Sequence, residues 1–394
     1  MRGERGENAT RIVADYCEYC RIAAMDEIRR LLDVQSPGGE LSRLMLDYPL
    51  RPAKGLRPAI VLATARSLGA PLDAALGTAA AIELLHNAFL VHDDVEDGSL
   101  YRRGAPTLHR EYGMATAMNV GDGMLALALA PLLENTTTLG LAASLEVLER
   151  VVSMVLVTVE GQEMELAYVR SGRLEENDEA PRAAYERLVV RKTAHYSFIA
   201  PVILGCIASR RPDAPQEALA RYAEHLGIAF QITDDLLNLR EDAEGYGKEL
   251  DGDLWEGKRT LMLMHALACA SPEDRARAQA VLARPRPRAA TGEVAALQRL
   301  LAELHEQGHV DAHAAAVLQE RASWSHDAER SVDDVAFLRG LLRKHGSLDY
   351  AQEVALEHSA TAARHFERAA PSLAAGMERD FLEALIQFVV GRLR

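Results

Sequence analysis

Long apolar runs separated by short polar turns dominate the pattern of residues along the chain. Residues 58–90 are mostly Ala, Leu, Ile and Val, with a break at Gly69, Ala70 and Pro71. This pattern predicts two closely packed helices with small residues at their contacts. Residues 10–48 mix charged and apolar positions at helical spacing, which predicts a pair of amphipathic helices.

Residues 114–170 continue as apolar runs, and residues 151–164 among them are rich in β-branched side chains. These positions lack the alternation of apolar and polar residues that a half-buried strand shows, and the sequence offers no partner strand. A helix agrees with its neighbours, so the sequence predicts an all-α fold. Polar segments at 171–181 and 210–215 are predicted to be surface loops.

The apolar helix predicted before residue 93 ends in four carboxylates within five positions, namely Asp93, Asp94, Glu96 and Asp97. So many charges next to an apolar core require a cation. On a helix, Asp93 and Asp97 lie one turn apart on the same face. Carboxylate oxygens without a nearby thiolate favour Mg²⁺ over zinc, and Mg²⁺ also binds substrate phosphates. The alternative is an acidic helix end that faces solvent.

A second copy of this design strengthens the metal hypothesis. Residues 227–238 form another apolar helical run, which ends in Asp234, Asp235 and Asn238. Two acidic helix ends that face each other can hold several Mg²⁺ ions against one diphosphate, which then becomes a good leaving group. The pattern therefore predicts a site that ionises a diphosphate ester.

These motifs and several others in register resemble the trans-isoprenyl diphosphate synthases, also called polyprenyl synthetases. The resemblance covers roughly residues 40–270 and the C-terminal stretch. Besides the two aspartate motifs, it is carried by Lys54-Gly55-Leu56-Arg57-Pro58, Arg102-Arg103-Gly104 with Pro106, Thr107 and His109, Gly161-Gln162, Lys192-Thr193, Gly247-Lys248 and Glu256-Gly257-Lys258. The departures are Asn238, where many members have a third aspartate, and Pro52-Ala53, where two glycines are usual.

The resemblance implies one all-α domain over residues 1–394, a helical bundle of the isoprenoid-synthase type around a deep apolar cavity. It also implies a homodimer that condenses isopentenyl diphosphate with an allylic diphosphate (dimethylallyl, geranyl or farnesyl) head to tail. Residues 284–345 are longer and more polar than the family leads us to expect. We interpret them as an inserted helical region.

The resemblance also implies roles for individual residues. The expected Mg²⁺ ligands are Asp93, Asp97 and Asp234, with Asp94 and Asp235 in support. The residues expected to bind the allylic diphosphate are Arg102, Lys192, Lys248 and Lys258. Those expected to hold isopentenyl diphosphate are Lys54, Arg57, His86 and Arg103. The dipoles expected near the allylic cation belong to Thr193 and Gln231, with Gln162 lower in the pocket.

The residues of the second diphosphate pocket also have their own sequence context. Lys54 and Arg57 are presented from a loop that runs into a helix start, where backbone N–H groups favour anions, although a solvated basic turn is the alternative. His86 lies two turns before Asp93 on nearly the same face, where it can donate to a phosphate. A histidine satisfied within the core is the alternative for His86.

Two other functional classes share parts of this pattern. A class I terpene cyclase has the same ionisation site but needs no second diphosphate pocket, so Lys54, Arg57 and Arg103 favour the synthase. A non-catalytic partner subunit of a heteromeric synthase is expected to lose one aspartate motif, and both motifs are present here.

Product length is predicted from the residues just before the first aspartate motif. Phe89 lies one turn before Asp93, about 6 Å deeper along the helix, and Ala88 is next to it. In this family, bulk at these positions closes the cavity floor for fifteen-carbon products. Because Ala88 is small, we expect geranylgeranyl diphosphate rather than farnesyl diphosphate. Met124 and Gln162 are candidates for the final limit.

Composition bounds the remaining possibilities. The net charge of −14 argues against a nucleic-acid partner, while metal ions and a few cations can still reverse the sign locally for an anionic substrate. The first residues lack the apolar core of a signal peptide, and stretches such as 151–159 are shorter than a membrane span. We therefore expect a cytoplasmic protein without a membrane span.

Two further patterns are weighed and set aside as metal sites. Cys17 and Cys20 form a lone CxxC without the second pair that zinc requires, and Cys206 and Cys269 are predicted to be core residues. Residues 305–309 match the HExxH zinc-protease pattern, but Gly308 weakens the required helix. The glycine-dotted segment 240–260 is predicted to be a mobile loop that closes over the diphosphate. Arg392, at the C-terminal helix end, can also reach a diphosphate.

Overall fold

The computed structural model describes residues 2–35, 38–171, 180–239, 251–286, 300–311, 313–314, 317 and 329–392. Lys248 and most of the predicted loop 240–260 lie outside the described residues, as does much of region 284–345.

Helices form almost all of the regular structure in these ranges, which confirms the predicted all-α fold. The α-helices run over Arg2–Gln35, Glu40–Met45, Asp47–Leu50, Leu56–Ser67, Leu72–Glu96, Leu108–Tyr112, Met114–Leu127, Leu129–Thr138, Leu141–Ser171, Pro181–Val189, Ala200–Ser209, Gln216–Asn238, Gly252–Glu256, Leu261–Cys269, Pro272–Leu282, Val332–Lys344, Ser347–Ala369 and Met377–Gly391. Residues 300–306 are also helical, Val190–Ile199 form a π-helix, and Ala370–Ser372 form a 3₁₀-helix. The strands Tyr101–Arg102 and Ala105–Pro106 pair in antiparallel register as a two-stranded ribbon.

The chain divides into two compact units. The first comprises Met1–Met164, Glu186–Lys248 and Ala351–Arg394, and the second comprises Glu165–Tyr185 and Glu249–Tyr350. The large apolar core lies in the first unit, where Leu72–Glu96 is buried on nearly all sides, as its continuous apolar sequence predicts. The single domain and the inserted region remain predictions.

The N-terminal region differs from the predicted helix pair. One helix of 34 residues spans Arg2–Gln35, and two short helices follow it. No glycine or proline interrupts residues 7–36, so the sequence has no signal that would end the first helix earlier.

Helix ends in the second unit follow the sequence rules for caps. Ser271 accepts a hydrogen bond from the backbone N–H of Asp274, with Pro272 at the first helical position. Ser331 and Asp334 form a reciprocal capping box at the start of Val332–Lys344. Arg330, just before this box, is buried and donates to the carbonyl oxygens of residues 254 and 282 at 2.7 and 3.1 Å.

The cysteines and the HExxH pattern can now be located. Cys17, Cys20 and Cys206 are buried, but Cys269 is exposed, which corrects the prediction of a core position. Cys269 is the last residue of its helix, and the apolar sequence around it does not reveal that this end leaves the packed face. The helix over 300–306 stops before Gly308, whose φ of 73° is left-handed, so His305 and His309 do not share one helix face as a zinc protease requires.

Two apolar segments are longer than the sequence analysis predicted. Leu72–Glu96 and Met114–Thr138 are long and apolar enough to cross a membrane by length and composition. The most apolar windows of these segments are 78% and 44% buried inside the protein, respectively. Core helices of water-soluble proteins pass the same test, so these two segments do not by themselves identify a membrane protein.

Candidate active site

Both aspartate motifs lie at the C-terminal ends of long helices in the first unit. The first-motif helix, Leu72–Glu96, carries Asp93 and Asp94, and Asp97 follows as its cap with its backbone N–H bonded to the carbonyl oxygen of Asp93 at 2.8 Å. The second-motif helix, Gln216–Asn238, carries Asp234 and Asp235. Asp93 and Asp97 are partly exposed, so their carboxylates are accessible to a metal ion.

Asp94 has a different environment from its neighbours. It is fully buried, and it accepts hydrogen bonds from the hydroxyl of Tyr48 at 2.6 Å and from Nε of Arg102 at 2.9 Å. Burial opposes the charge of Arg102, but Asp94 outweighs this effect and holds the pKa of the guanidinium above its usual range. Asp94 therefore anchors Arg102 beside the first motif.

Two cations approach Asp93 from different parts of the chain. Nζ of Lys192 lies 3.4 Å from one carboxylate oxygen, and Nη2 of Arg102 lies 3.8 Å from the other. The carboxylate oxygens of Asp93 are hard ligands of the kind that Mg²⁺ prefers. Among the described residues, no three His, Cys, Asp or Glu side chains form a cluster that could hold a metal alone.

The π-helix Val190–Ile199 carries Lys192 and Thr193 and contacts both motif helices. It packs along the second-motif helix, and its Tyr196 meets the ring of Phe89 on the first-motif helix edge-on at 5.6 Å. Gly161, on the helix Leu141–Ser171, and Gly227, on the second-motif helix, allow the π-helix to approach both helices closely. A Cβ on Gly161 would lie 2.4 Å from the backbone N of Lys192, and one on Gly227 would lie 2.6 Å from Cβ of Ala194.

The second motif is held by an amide and a guanidinium. Nε2 of Gln231 donates to Asp235 at 2.7 Å, and Asp235 is buried. Nη2 of Arg392, just after the C-terminal helix, donates to Asp234 at 3.1 Å, and its guanidinium lies 5.4 Å from the ring centre of Phe230. Arg392 thus forms an ion pair with Asp234, which is an expected metal ligand. The sequence pattern did not indicate this contact.

Arg57, His86 and Arg103 form a second basic cluster, and we use the name basic pocket for these three residues together with Lys54, which is predicted to bind the same diphosphate. Arg57 donates to the hydroxyls of Tyr196 at 2.9 Å and Ser197 at 2.7 Å. Nη2 of Arg103 lies 3.5 Å from Nε2 of His86. Burial lowers the pKa of Lys54, and the nearby charge of Arg392 lowers it further.

His86 is buried and neutral in this cluster. Burial, followed by the charges of Arg57 and Arg103, holds its pKa well below the usual value. Because Arg103 can only donate, Nε2 of His86 accepts and the proton is on Nδ1. Among the described residues, neither Nδ1 of His86 nor Nε of Arg57 has a hydrogen-bond partner, although both atoms are buried. Buried donors without partners are costly, and an anion would satisfy them.

The remaining predicted residues have the following positions. Gln162 donates to Glu96 at 2.6 Å, so it lies at the aspartate end of the first-motif helix rather than lower in a pocket. Ala88 is fully buried and Phe89 is partly buried. In the second unit, Nζ of Lys258 lies 3.8 Å from a carboxylate oxygen of Asp253.

Sequence reasoning missed two residues that contact several members of this site. Tyr48 is bonded to Asp94, and Arg51, which is nearly buried, donates to the carbonyl oxygen of Arg102 at 2.9 Å. Their position just before the basic loop at Lys54 was a weak signal, because an arginine and a tyrosine there are equally typical of a surface turn.

Comparison with known proteins agrees with this geometry. The sequence model of the polyprenyl synthetase family matches residues 40–301. Octaprenyl diphosphate synthase from Escherichia coli is 37% identical over 221 residues, which are 56% of this chain and 64% of that protein. Geranylgeranyl diphosphate synthase from Saccharolobus solfataricus is 32% identical over 222 residues, 56% of this chain and 65% of that protein.

A solved structure extends the similarity to most of the chain. The polyprenyl synthase from Caulobacter crescentus, crystallised with calcium and isoprenyl diphosphate, aligns with a TM-score of 0.71 and 28% identity over 96% of this chain and 97% of that one. The chain belongs to the polyprenyl synthetase family. The sequence matches to the E. coli and S. solfataricus proteins span less than two thirds of each protein's length.

Proposed function

We propose that the protein is a Mg²⁺-dependent head-to-tail prenyltransferase of the cytoplasm that condenses isopentenyl diphosphate with an allylic diphosphate. The observation that carries this proposal is the pair of buried donors without partners, Nδ1 of His86 and Nε of Arg57, beside Arg103. We infer that they bind a second anion, distinct from the one that Lys192 and Arg102 would bind beside Asp93. Two pockets suit two diphosphates, whereas a terpene cyclase needs one.

The proposed roles follow from these two groups of residues. Asp93, Asp97 and Asp234 would hold Mg²⁺, which would supply positive charge to the leaving diphosphate. Asp94 and Asp235 support them through their contacts with Arg102 and Gln231. The residues that bind the allylic diphosphate are Arg102 and Lys192. Those that bind isopentenyl diphosphate are Lys54, Arg57, His86 and Arg103.

In the proposed reaction, the C–O bond of the allylic diphosphate breaks and its electron pair leaves with the diphosphate. The oxygens of Thr193 and Gln231 stabilise the allylic cation as dipoles. Since Gln231 donates its N–H to Asp235, its amide oxygen keeps its lone pairs, and we propose that this oxygen faces the cation. The alkene of isopentenyl diphosphate attacks the cation, and the released diphosphate takes the proton, so no side-chain base is required.

An assay of the purified protein tests this function. The protein is incubated with Mg²⁺ and an allylic diphosphate, with and without isopentenyl diphosphate. The proposal expects a longer prenyl diphosphate only when both substrates are present. A hydrocarbon formed from the allylic substrate alone would instead indicate a class I terpene cyclase. No product under either condition would favour a non-catalytic partner subunit, which would form product only with a second chain.

We also propose geranylgeranyl diphosphate as the main product, with farnesyl diphosphate as the alternative. Ala88 supports this, because a methyl group leaves space where an aromatic ring would narrow the cavity, and Phe89 against Tyr196 limits the width. The related proteins described above differ in product: the names of the E. coli and S. solfataricus enzymes specify octaprenyl and geranylgeranyl diphosphate.

We expect Ala88→Phe to shorten the main product by one five-carbon unit, because the added ring excludes volume from a packed region. Ala88 lies one turn before His92, whose ring fills the space beside Gly121, so the substitution also tests local packing. Chromatography of the dephosphorylated products measures the shift, and thermal unfolding shows how much stability is lost. An unchanged product distribution in a folded variant would show that residue 88 does not face the growing chain.

We propose that the protein forms a homodimer through an apolar stripe on the helix Leu141–Ser171. The stripe is exposed and follows helical spacing, and its members are Leu141, Leu145, Val152, Leu156 and Val159. Leu156 is 60% exposed, which is unfavourable for so large a group in an isolated chain.

Light scattering is expected to give the mass of a dimer for the wild type and of a monomer for Leu156→Glu, because a charge within the stripe opposes its burial. Leu356→Glu is the matched control, since Leu356 is exposed on another helix outside the stripe. A monomeric wild type, or dissociation by both variants alike, would contradict the assignment.

A further inference from the structure

The segment 47–51, which precedes the basic loop, contacts the diphosphate-binding arginines at several points. Arg51 is nearly buried and donates from Nη1 to the carbonyl oxygen of Arg102 at 2.9 Å and from Nη2 to that of Pro106 at 2.8 Å. These acceptors belong to the two strands of the ribbon. Nε of Arg51 donates to Asp47 at 2.9 Å, which fixes the plane of the guanidinium. One side chain therefore ties both strands to the helix Asp47–Leu50.

Tyr48, three residues earlier, contacts the segments that precede and follow the ribbon in the chain, and the arginine between its strands. Its hydroxyl donates to Asp94 at 2.6 Å and accepts from the backbone N–H of Leu108 at 3.3 Å. Its carbonyl oxygen accepts from Nη1 of Arg103 at 2.8 Å. The ring is fully buried, with the guanidinium of Arg51 4.5 Å from its centre. Tyr48 thus contacts the first aspartate motif and the basic pocket at once.

The ribbon depends on these contacts because it has little stability of its own. Its strands have two residues each, and such short pairs do not persist without packing. Arg103 also has a φ of 52°, a left-handed conformation that is unfavourable for a residue with a side chain. A backbone held in this conformation requires support from its surroundings.

We propose that Tyr48 and Arg51 are positioning residues that hold Arg102 and Arg103 at their two diphosphates. Arg51 acts on both arginines through the ribbon backbone. The hydroxyl of Tyr48 acts on the allylic side, through Asp94 and the Arg102 bonded to it. The inference rests on the proposed function and adds to it a connection between the two substrate pockets.

Tyr48→Phe tests the allylic side, because it removes the hydroxyl and keeps the ring and the carbonyl oxygen. We expect kcat/KM for the allylic diphosphate to fall about tenfold, since a hydrogen bond to a charged group is lost. The KM for isopentenyl diphosphate is expected to stay within about twofold, because the contact from Arg103 to the Tyr48 backbone remains. Tyr19→Phe is the matched control, on an exposed ring.

Arg51→Ala tests the connection between the pockets. It is expected to raise the KM for both diphosphates by about tenfold, and Arg51→Lys is expected to restore part of the loss. Arg43→Ala, at an exposed arginine of the preceding helix, is the matched control and should leave both KM values unchanged. Circular dichroism and thermal unfolding establish whether each variant is folded. If Arg51→Ala does not fold, the same measurements on Arg51→Lys provide the test.

A double-mutant cycle separates positioning from a general effect on the fold. If Arg51 acts through Arg102 and Arg103, Arg51→Ala should add little to the loss in an Arg102→Ala, Arg103→Ala background. Full additivity, or an Arg51→Ala effect no larger than that of Arg43→Ala, would overturn the proposal.

Calorimetry with Mg²⁺ and inorganic diphosphate gives a readout that does not depend on turnover. Weaker binding by Arg51→Ala than by Arg43→Ala would support the positioning role. This holds even if the wild type forms no condensation product, because that result would refute only the proposed function. Equal binding by Arg51→Ala and Arg43→Ala, in an active wild type, would refute the positioning role alone.

Discussion

Asp93→Asn is expected to lower kcat by about a hundredfold or more, because it removes electrostatic stabilisation of the leaving diphosphate. Asp93 is the carboxylate on which Lys192 and Arg102 converge, and it is partly exposed toward the expected metal position. The amide keeps the size of the side chain and loses its charge. A fall in kcat with a nearly unchanged fold would therefore assign the effect to the charge at the site.

Glu96→Gln is the matched control for this experiment, because Glu96 is an exposed carboxylate of the same motif that accepts from Gln162. Its kcat is expected to stay within a few fold of the wild type. The Mg²⁺ concentration that gives half-maximal activity should rise for Asp93→Asn and remain unchanged for Glu96→Gln. Near-normal turnover of Asp93→Asn would exclude Asp93 as a metal ligand.

Arg103→Ala and Lys54→Ala are expected to raise the KM for isopentenyl diphosphate by roughly tenfold to a hundredfold, since each removes a charge-assisted contact. The KM for the allylic substrate is expected to change much less, because we propose that the basic pocket binds only isopentenyl diphosphate. Burial lowers the pKa of both Arg103 and Lys54, so an anion also relieves the cost of holding these charges in the pocket.

The same kinetic measurements on Arg110→Ala provide the control, because this arginine is exposed over the ring of Tyr101 and outside the pocket. It should leave both KM values unchanged. If Arg103→Ala and Lys54→Ala raise the two KM values equally, the division into two diphosphate pockets is wrong.

The predictable part of this protein is the part that depends on local periodicity. Apolar runs predicted the helices, including the β-branched stretch within Leu141–Ser171, where buried positions recur every three to four residues instead of alternating. The caps at Ser271 and Ser331 also depend on a few adjacent residues. The family motifs identified the aspartates and the lysines in order along the chain.

The contacts that join distant segments were not predictable from the pattern. The bond from Tyr48 to Asp94 joins residues 46 positions apart, and the position of Arg392 on Asp234 joins residues 158 apart. Gln162 was expected deeper in the pocket but contacts Glu96 at the aspartate end. Its position along one helix does not define the level at which it meets a neighbouring helix. Burial of Asp94 next to the partly exposed Asp93 likewise depends on tertiary packing, which spacing alone does not specify.

The π-helix also has no signature in the sequence, and its two glycine contacts limit how the site can respond to substrate. Its backbone meets one neighbour at Gly161 and another at Gly227, at distances that leave no room for a Cβ. A lateral shift toward either helix is therefore blocked by contact between main chains. As a proposed ligand of the allylic diphosphate, Lys192 is therefore expected to reach its substrate by rotation about its own side-chain bonds, on a timescale of picoseconds to nanoseconds rather than that of helix motion.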